Sequence, residues 1–267
     1  MKRALSCITV IDLLFILLLS ISAFFGGLIG NAIYYSAFII PFLIAVYIKN
    51  KTKSEYKPPK IKCDEISLLI PVIAPTIAVV FLISWVTSLV LSFIGNGNYV
   101  DVSGNLFLVI ITHAVIPAIA EEALFRYIPI AFISPYTKRG AVWISALFFG
   151  LVHCNLYQLP YALFAGIIFA AADIAFDSIL PSAILHFINN LYSIFWQRYG
   201  GSADFSKIYI VATIALALIS LVFVFIFRKK YKDKISSIIC DKSKYKLSYD
   251  VIIFIALTVF VAVTNLI

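Results

Sequence analysis

Charge is scarce in this sequence. Only 13% of its 267 residues are Asp, Glu, Lys or Arg, against about 25% in a soluble globular chain. Hydrophobic residues make up 63%, and the mean hydropathy is +1.03. The apolar runs leave only short connections between them, so no soluble domain fits. Acid is scarcer than base, 13 against 21. The resulting charge of +8 does not point to nucleic acid, because the basic residues are confined to particular connections, an arrangement that reports orientation in a membrane. The four cysteines form no CxxC pair, which leaves neither a thiol redox motif nor a cysteine zinc site. Cys7, Cys63 and Cys240 fall on the side where thiols stay reduced. Cys154 follows His153, but helical neighbours point about 100° apart, so it is a packing residue and not a co-ligand. HExxH is absent as well, and with it the pattern that places two zinc histidines on one helix. No internal repeat, low-complexity tract or heptad pattern intervenes.

Apolar runs long enough to span a bilayer fill the rest. They lie at about 8–27, 28–48, 66–93, 106–134, 141–158, 161–176, 178–196 and 208–227, with a shorter ninth at 251–267. The expected fold is an all-α polytopic transmembrane helix bundle of eight or nine spans, a single membrane domain over 1–267. Lys2 and Arg3 ahead of a long first run argue for a retained anchor over a cleaved signal. Lys2 and Arg3, six lysines between Lys49 and Lys62, Lys138 with Arg139, and eight basic residues from Arg228 to Lys246 account for 18 of the 21. Arg198 and Lys207 are alone in the opposite connections, so the N-terminus and these four segments are expected in the cytoplasm. Gly95-Asn-Gly-Asn98 marks an external turn, and Gly166 with neighbouring alanines in the sixth run allows close helix approach.

Against this background the polar residues inside the runs stand out. In 116–126, Ile-Pro-Ala-Ile-Ala-Glu-Glu-Ala-Leu-Phe-Arg, a charge at membrane depth costs roughly 2.5–3.5 kcal/mol on insertion scales. Glu122 and Arg126 stand at i and i+4 on one face, acid before base, the favourable order for an ion pair. Glu121 lies roughly 140° around the helix from Arg126, free to face something else. In the fifth run Phe149-x-x-x-His153 sets an imidazole one turn beyond an aromatic. In the seventh, His186 and Asn190 share a face, with Asn189 beside them. Counted from the inner ends of their helices, Glu121 and His153 lie at similar depth, roughly 18–20 Å.

Glu121-Glu122-x-x-x-Arg126, Phe149-x-x-x-His153 and His186-x-x-x-Asn190, in that order on successive helices, resemble the three motifs of the CAAX prenyl protease type II and bacteriocin-processing (CPBP, or Abi) family. The resemblance covers about 105–197, which would be the catalytic core. It implies an intramembrane protease of the cell membrane, walled by helices, with a polar site open to the cytoplasm. Its partners would be the lipid bilayer and a membrane-associated protein or peptide substrate: a CAAX-type protein, a pheromone or a bacteriocin precursor.

The residues support roles of their own. A desolvated, unpaired Glu121 suits a general base and, with His153, would orient and deprotonate a water. His186 and Asn190 would hold the oxyanion, and Glu122, Arg126 and Phe149 would support the site. No cofactor is needed on this reading. The competing chemistry is Zn²⁺ held by Glu121, His153 and His186 with water in the fourth position; His113, at i−8 from Glu121, is an outlying ligand or relay candidate that better suits a helix interface. A non-catalytic immunity or scaffold protein of the same fold is the main alternative function. A proton-coupled transporter, with Asp173 among the relays, lacks the repeated halves expected of it.

Overall fold

The computed structural model describes residues 1–51, 66–93, 102–243 and 248–265, and every regular element among them is helical. In chain order these are α1 Lys2–Phe24, α2 Gly27–Lys51, α3 Ile70–Leu91 entered through a 3-10 turn at Ile66–Leu69, α4 Leu106–Ile133, α5 Lys138–Leu151, α6 Leu159–Phe176, α7 Leu180–Tyr199, α8 Ala203–Ile226, α9 Arg228–Ile239 and α10 Tyr249–Thr264. By length and composition six are able to cross a membrane: α1, α2, α3 with its leading turn, α4, α6 and α8. That apolar content marks an integral membrane protein. Each of the nine expected runs carries a helix. The three outside the six are α5 with 14 residues, α10 with 16, and α7, whose 20 residues include His186, Asn189, Asn190, Gln197 and Arg198. The external turn expected at 95–98 and the lysine-rich connection over 52–65 lie outside the described residues.

Local chemistry sets the helix ends. Asn105 opens α4 by accepting from the amides of Phe107 and Leu108, and Thr137 Oγ1 opens α5 by accepting from Gly140 N at 2.9 Å. Proline enters near the start of α3, α6 and α7, where a missing N–H costs nothing. The expected fifth span over 141–158 is cut short: α5 stops at Leu151, and Cys154 takes φ +46°, a left-handed conformation that ends the helix. His153 therefore sits in the turn after α5, not within a span.

α4 runs unbroken over 28 residues but widens into π turns at Ile111–Val115 and Ala123–Tyr127. Pro117 and Pro129 follow these turns. Each removes the donor that an α-helix would offer to the carbonyl four residues back. At Pro129 that carbonyl belongs to Phe125, and it accepts instead from Ser145 Oγ on α5 at 2.6 Å and from Arg126 Nη1 at 3.1 Å. The irregularity thus ties α4 to α5 beside the charged pair.

The main apolar cluster joins α1, α2, α4, α5 and α10 around Phe15, Phe125, Phe148, Phe149 and Phe254. α5 and α6 approach closely at Gly166, where a Cβ would lie 2.9 Å from Ala146 Cα, as the small residues in that run anticipated. The basic segment after α8, expected as a loop, contains helix α9. Its Ile238 packs against Ile130, Val142 and Ala170, and Tyr231 donates to the carbonyl of Leu68 at 2.7 Å. Beyond it, Asp241 accepts from Thr137 Oγ1 at 2.7 Å and Arg139 N at 3.0 Å. These bonds fasten the basic helix to the end of the bundle where α3 and α5 begin.

Candidate active site

The centre of the bundle holds a charged pair almost closed to solvent. Glu122 is 1% exposed and Arg126 0%, with Arg126 Nε 3.3 Å from Glu122 Oε2, the i, i+4 pairing that the sequence spacing predicted. The guanidinium also lies over the Phe149 ring, 4.0 Å from its centroid, and 5.6 Å from that of Phe169. Two aromatic faces thus share the burden of a desolvated cation. Phe149 borders the histidines too, its ring edge-on to His153 at 5.0 Å and to His186 at 5.6 Å.

Glu122 does more than neutralise Arg126. Its Oε1 accepts from His186 Nδ1 at 2.7 Å, a contact that helical phase within α4 alone did not reveal. A carboxylate on Nδ1 fixes the ring and its tautomer, while Phe169 stacks on the other side at 5.7 Å. Nε2 is left facing Glu121, 3.9 Å from Oε2. The two adjacent glutamates therefore take opposite nitrogens of one imidazole. Glu122 is buried behind it, and Glu121, 20% exposed, stands in front.

His153 meets the group from its turn. Its Nδ1 lies 2.7 Å from the Phe149 carbonyl. A carbonyl only accepts, so the ring proton of neutral His153 sits on Nδ1, and Nε2 is the basic nitrogen. Glu121 is near enough to act on His153 electrostatically. Asn190 is one turn beyond His186; its Oδ1 takes Asn189 Nδ2 at 3.5 Å, which leaves its own amide NH₂ to donate. His113, by contrast, is occupied locally, Nδ1 bonding Thr112 Oγ1 at 2.8 Å and the Val109 carbonyl at 3.3 Å.

Sequence reasoning missed several polar neighbours. Tyr34 and Tyr161 stand within electrostatic reach of Glu121. Asp173, which the sequence offered only as a relay of the transporter alternative, is buried and accepts from Ser182 N on α7 at 2.9 Å. Asp12 on α1 is also buried, with no hydrogen-bond partner for Oδ2 among the described residues. A single acid in the first apolar run was the available signal. As for a metal, the described residues include no group of three His, Cys, Asp or Glu side chains placed to hold one. Each histidine engages Nδ1 with an acceptor and keeps Nε2 open, the nitrogen that either proton transfer or metal ligation would use.

Residues 103–192 match the family model of the type II CAAX prenyl endopeptidase Rce1-like proteins. The matched stretch takes in Glu121, Glu122, Arg126, Phe149, His153, His186 and Asn190, and at the family level it supports a CAAX-type intramembrane protease acting on a membrane-associated protein. No curated protein and no solved structure matches the chain.

Proposed function

We propose that this protein is an intramembrane endopeptidase that hydrolyses a peptide bond of a membrane-associated protein or peptide by metal-free activation of water. The observation that carries the reading is the arrangement at Glu121: an acid reached by solvent, 3.9 Å from His186 Nε2 and within electrostatic reach of His153. Glu121, assisted by His153, takes a proton from water as the oxygen attacks the scissile carbonyl carbon. The carbonyl oxygen becomes an oxyanion in front of α7, where Asn190 Nδ2 donates to it. His186 donates from Nε2 when its ring carries both protons, with Nδ1–H held on the Glu122 carboxylate. Collapse breaks the C–N bond, and the proton held at Glu121 passes to the leaving amine.

Arg126 and Phe149 then serve as support. Arg126 balances Glu122, and Phe149 walls both imidazoles and Arg126. With eight or nine spans and a cytoplasmic N-terminus, the four basic segments lie inside, and the site opens to the cytoplasmic side of the cell membrane. CAAX-type proteins, pheromones and bacteriocin precursors are the substrate classes to screen. The test is peptide profiling of membranes that carry the wild type or Glu121→Gln at equal abundance. Products present only with the wild type are expected, and identical profiles would overturn the proposal. Asn190→Ala should lose on the order of 10²–10³ in turnover with substrate binding kept. Stoichiometric zinc whose removal stops cleavage and whose return restores it would refute the metal-free step.

A further inference from the structure

The residues that α7 presents to the site depend on how that helix is set at its start. At a helix N-terminus the first amides have no partner within the helix, and a buried one must find an acceptor elsewhere. On α7 these donors can be followed one by one. Leu180 N donates to Ser178 Oγ at 3.2 Å. Pro181 has no N–H. Ala183 N reaches the Ile179 carbonyl at 3.2 Å, the first bond of the helix itself. Between them Ser182 N, on a residue 0% exposed, receives nothing from the N-cap, since Ile179 has no side-chain acceptor. Its partner comes from another helix: Asp173 Oδ1 on α6, at 2.9 Å.

Asp173 is itself 3% exposed, and its Oδ2 has no hydrogen-bond partner among the described residues. An acid at this depth is costly to keep, and a carboxylate at a helix N-terminus is where the helix dipole favours one. The placement along α7 gives the contact its consequence. Ser182, His186 and Asn190 recur every four residues and form one column on the helix, so the bond to Ser182 N holds the base of the column that carries both proposed oxyanion donors.

We propose that Asp173 is a positioning residue: its carboxylate completes the first turn of α7 and sets the rotation and height at which His186 meets Glu122 and Glu121. As a statement about turnover this rests on the protease reading; as a statement about the placement of α7 it does not.

The experiment compares wild type, Asp173→Ala and Asp173→Asn in lipid nanodiscs by amide exchange and by steady-state cleavage. Asn keeps a carbonyl oxygen for Ser182 N, and Ala does not. Exchange at 180–184 should quicken at least tenfold in Asp173→Ala and match the wild type in Asp173→Asn. A donor column displaced by about 1 Å costs on the order of 10² in rate, so kcat should fall by that order in Asp173→Ala with KM unchanged. Asp173→Asn should stay within about threefold of the wild type, since its acceptor is kept. Unchanged exchange in Asp173→Ala overturns the proposal. So does a folded Asp173→Asn that is as impaired as Asp173→Ala, because the carboxylate would then act by charge and not as the acceptor for α7. If Asp173→Ala does not accumulate, Asp173→Asn decides alone: wild-type exchange and retained cleavage support the role, and loss of either refutes it. A wild type that cleaves nothing while the exchange pattern holds would count against the protease reading and leave the placement of α7 standing.

Discussion

Arg126→Ala is the perturbation whose cost follows most directly from the geometry. The guanidinium is fully enclosed, lies 3.3 Å from Glu122 Oε2, donates to the Phe125 carbonyl and rests 4.0 Å over Phe149. Removing it leaves Glu122 buried without its cation, held by neutral partners such as His186 Nδ1. Breaking a buried ion pair from one side costs about 3–5 kcal/mol, most of it the penalty of an uncompensated charge. The lost cation–π contact adds roughly 0.5–2 kcal/mol at a desolvated site, so the upper half of the range is expected. For a chain of this size each kcal/mol shifts the unfolding midpoint by roughly 2–4 °C, which gives a fall of about 8–20 °C.

The assay is heat unfolding of detergent-purified protein, with the double variant Glu122→Gln/Arg126→Met as the control. If the penalty is stranded charge, removing both charges while keeping volume should recover about 2–3 kcal/mol of the loss, a coupling visible in a double-mutant cycle. A midpoint for Arg126→Ala within about 2 °C of the wild type, less than 1 kcal/mol, would refute the reasoning. So would a double variant no more stable than the single, since packing and not charge would then explain the loss.

The neighbouring glutamates should separate by phenotype: Glu121→Gln should keep the wild-type unfolding midpoint and lose cleavage, whereas Glu122→Gln should lower both, having released His186 Nδ1 and Arg126 together; a stable but inactive Glu122→Gln would reverse the assignment. Gly166→Leu should destabilise by about 1–3 kcal/mol in the same unfolding assay through overpacking, because its Cβ would meet Ala146 Cα at 2.9 Å; a tolerated leucine would show that α5 and α6 separate freely. Asp241 is held well below the usual carboxylate range by hydrogen bonds from Ser243, Thr137 and Arg139 N. A carboxyl lowered on folding stabilises fully above its unfolded value near pH 4, and that contribution is lost as pH falls through the folded value. Acid should therefore loosen the attachment of α9 in the wild type more than in Asp241→Asn, read by labelling of a cysteine at exposed Ser237.

Much of the bundle was legible because hydropathy and local geometry act within a run. Nine apolar stretches became helices near their expected places, and the pairing of Glu122 with Arg126 is a property of one helix. What was not legible came from between helices or from the exceptions to helical phase. Nothing in α4 alone says that Glu122 also takes His186 Nδ1 from α7, 64 residues on. The apolar run past Leu151 carries no polar break before His153, yet the chain turns there with Cys154 at φ +46°, so a span measured by hydropathy overshot the helix. α9 was hidden for the opposite reason: its Lys and Arg spoke for a solvated connection, while Tyr231 and Ile238, spaced at i and i+7, are the face that packs.

The same interhelical contacts explain how charged groups persist in so apolar a protein. A lone membrane acid is costly, but around the site the buried polar groups are answered from a different helix or by an aromatic face. Arg126 of α4 is covered by Phe149 of α5 and Phe169 of α6, Glu122 of α4 by His186 of α7, and Ser182 N of α7 by Asp173 of α6. Helices too short or too polar to count as spans by composition, α5 and α7, are thus held by the charges they enclose as well as by apolar packing. Glu121 stands just outside that enclosure. Because Glu122 already answers Arg126 and braces His186, Glu121 is the carboxylate whose loss strands no buried partner, and it is the one left to meet water.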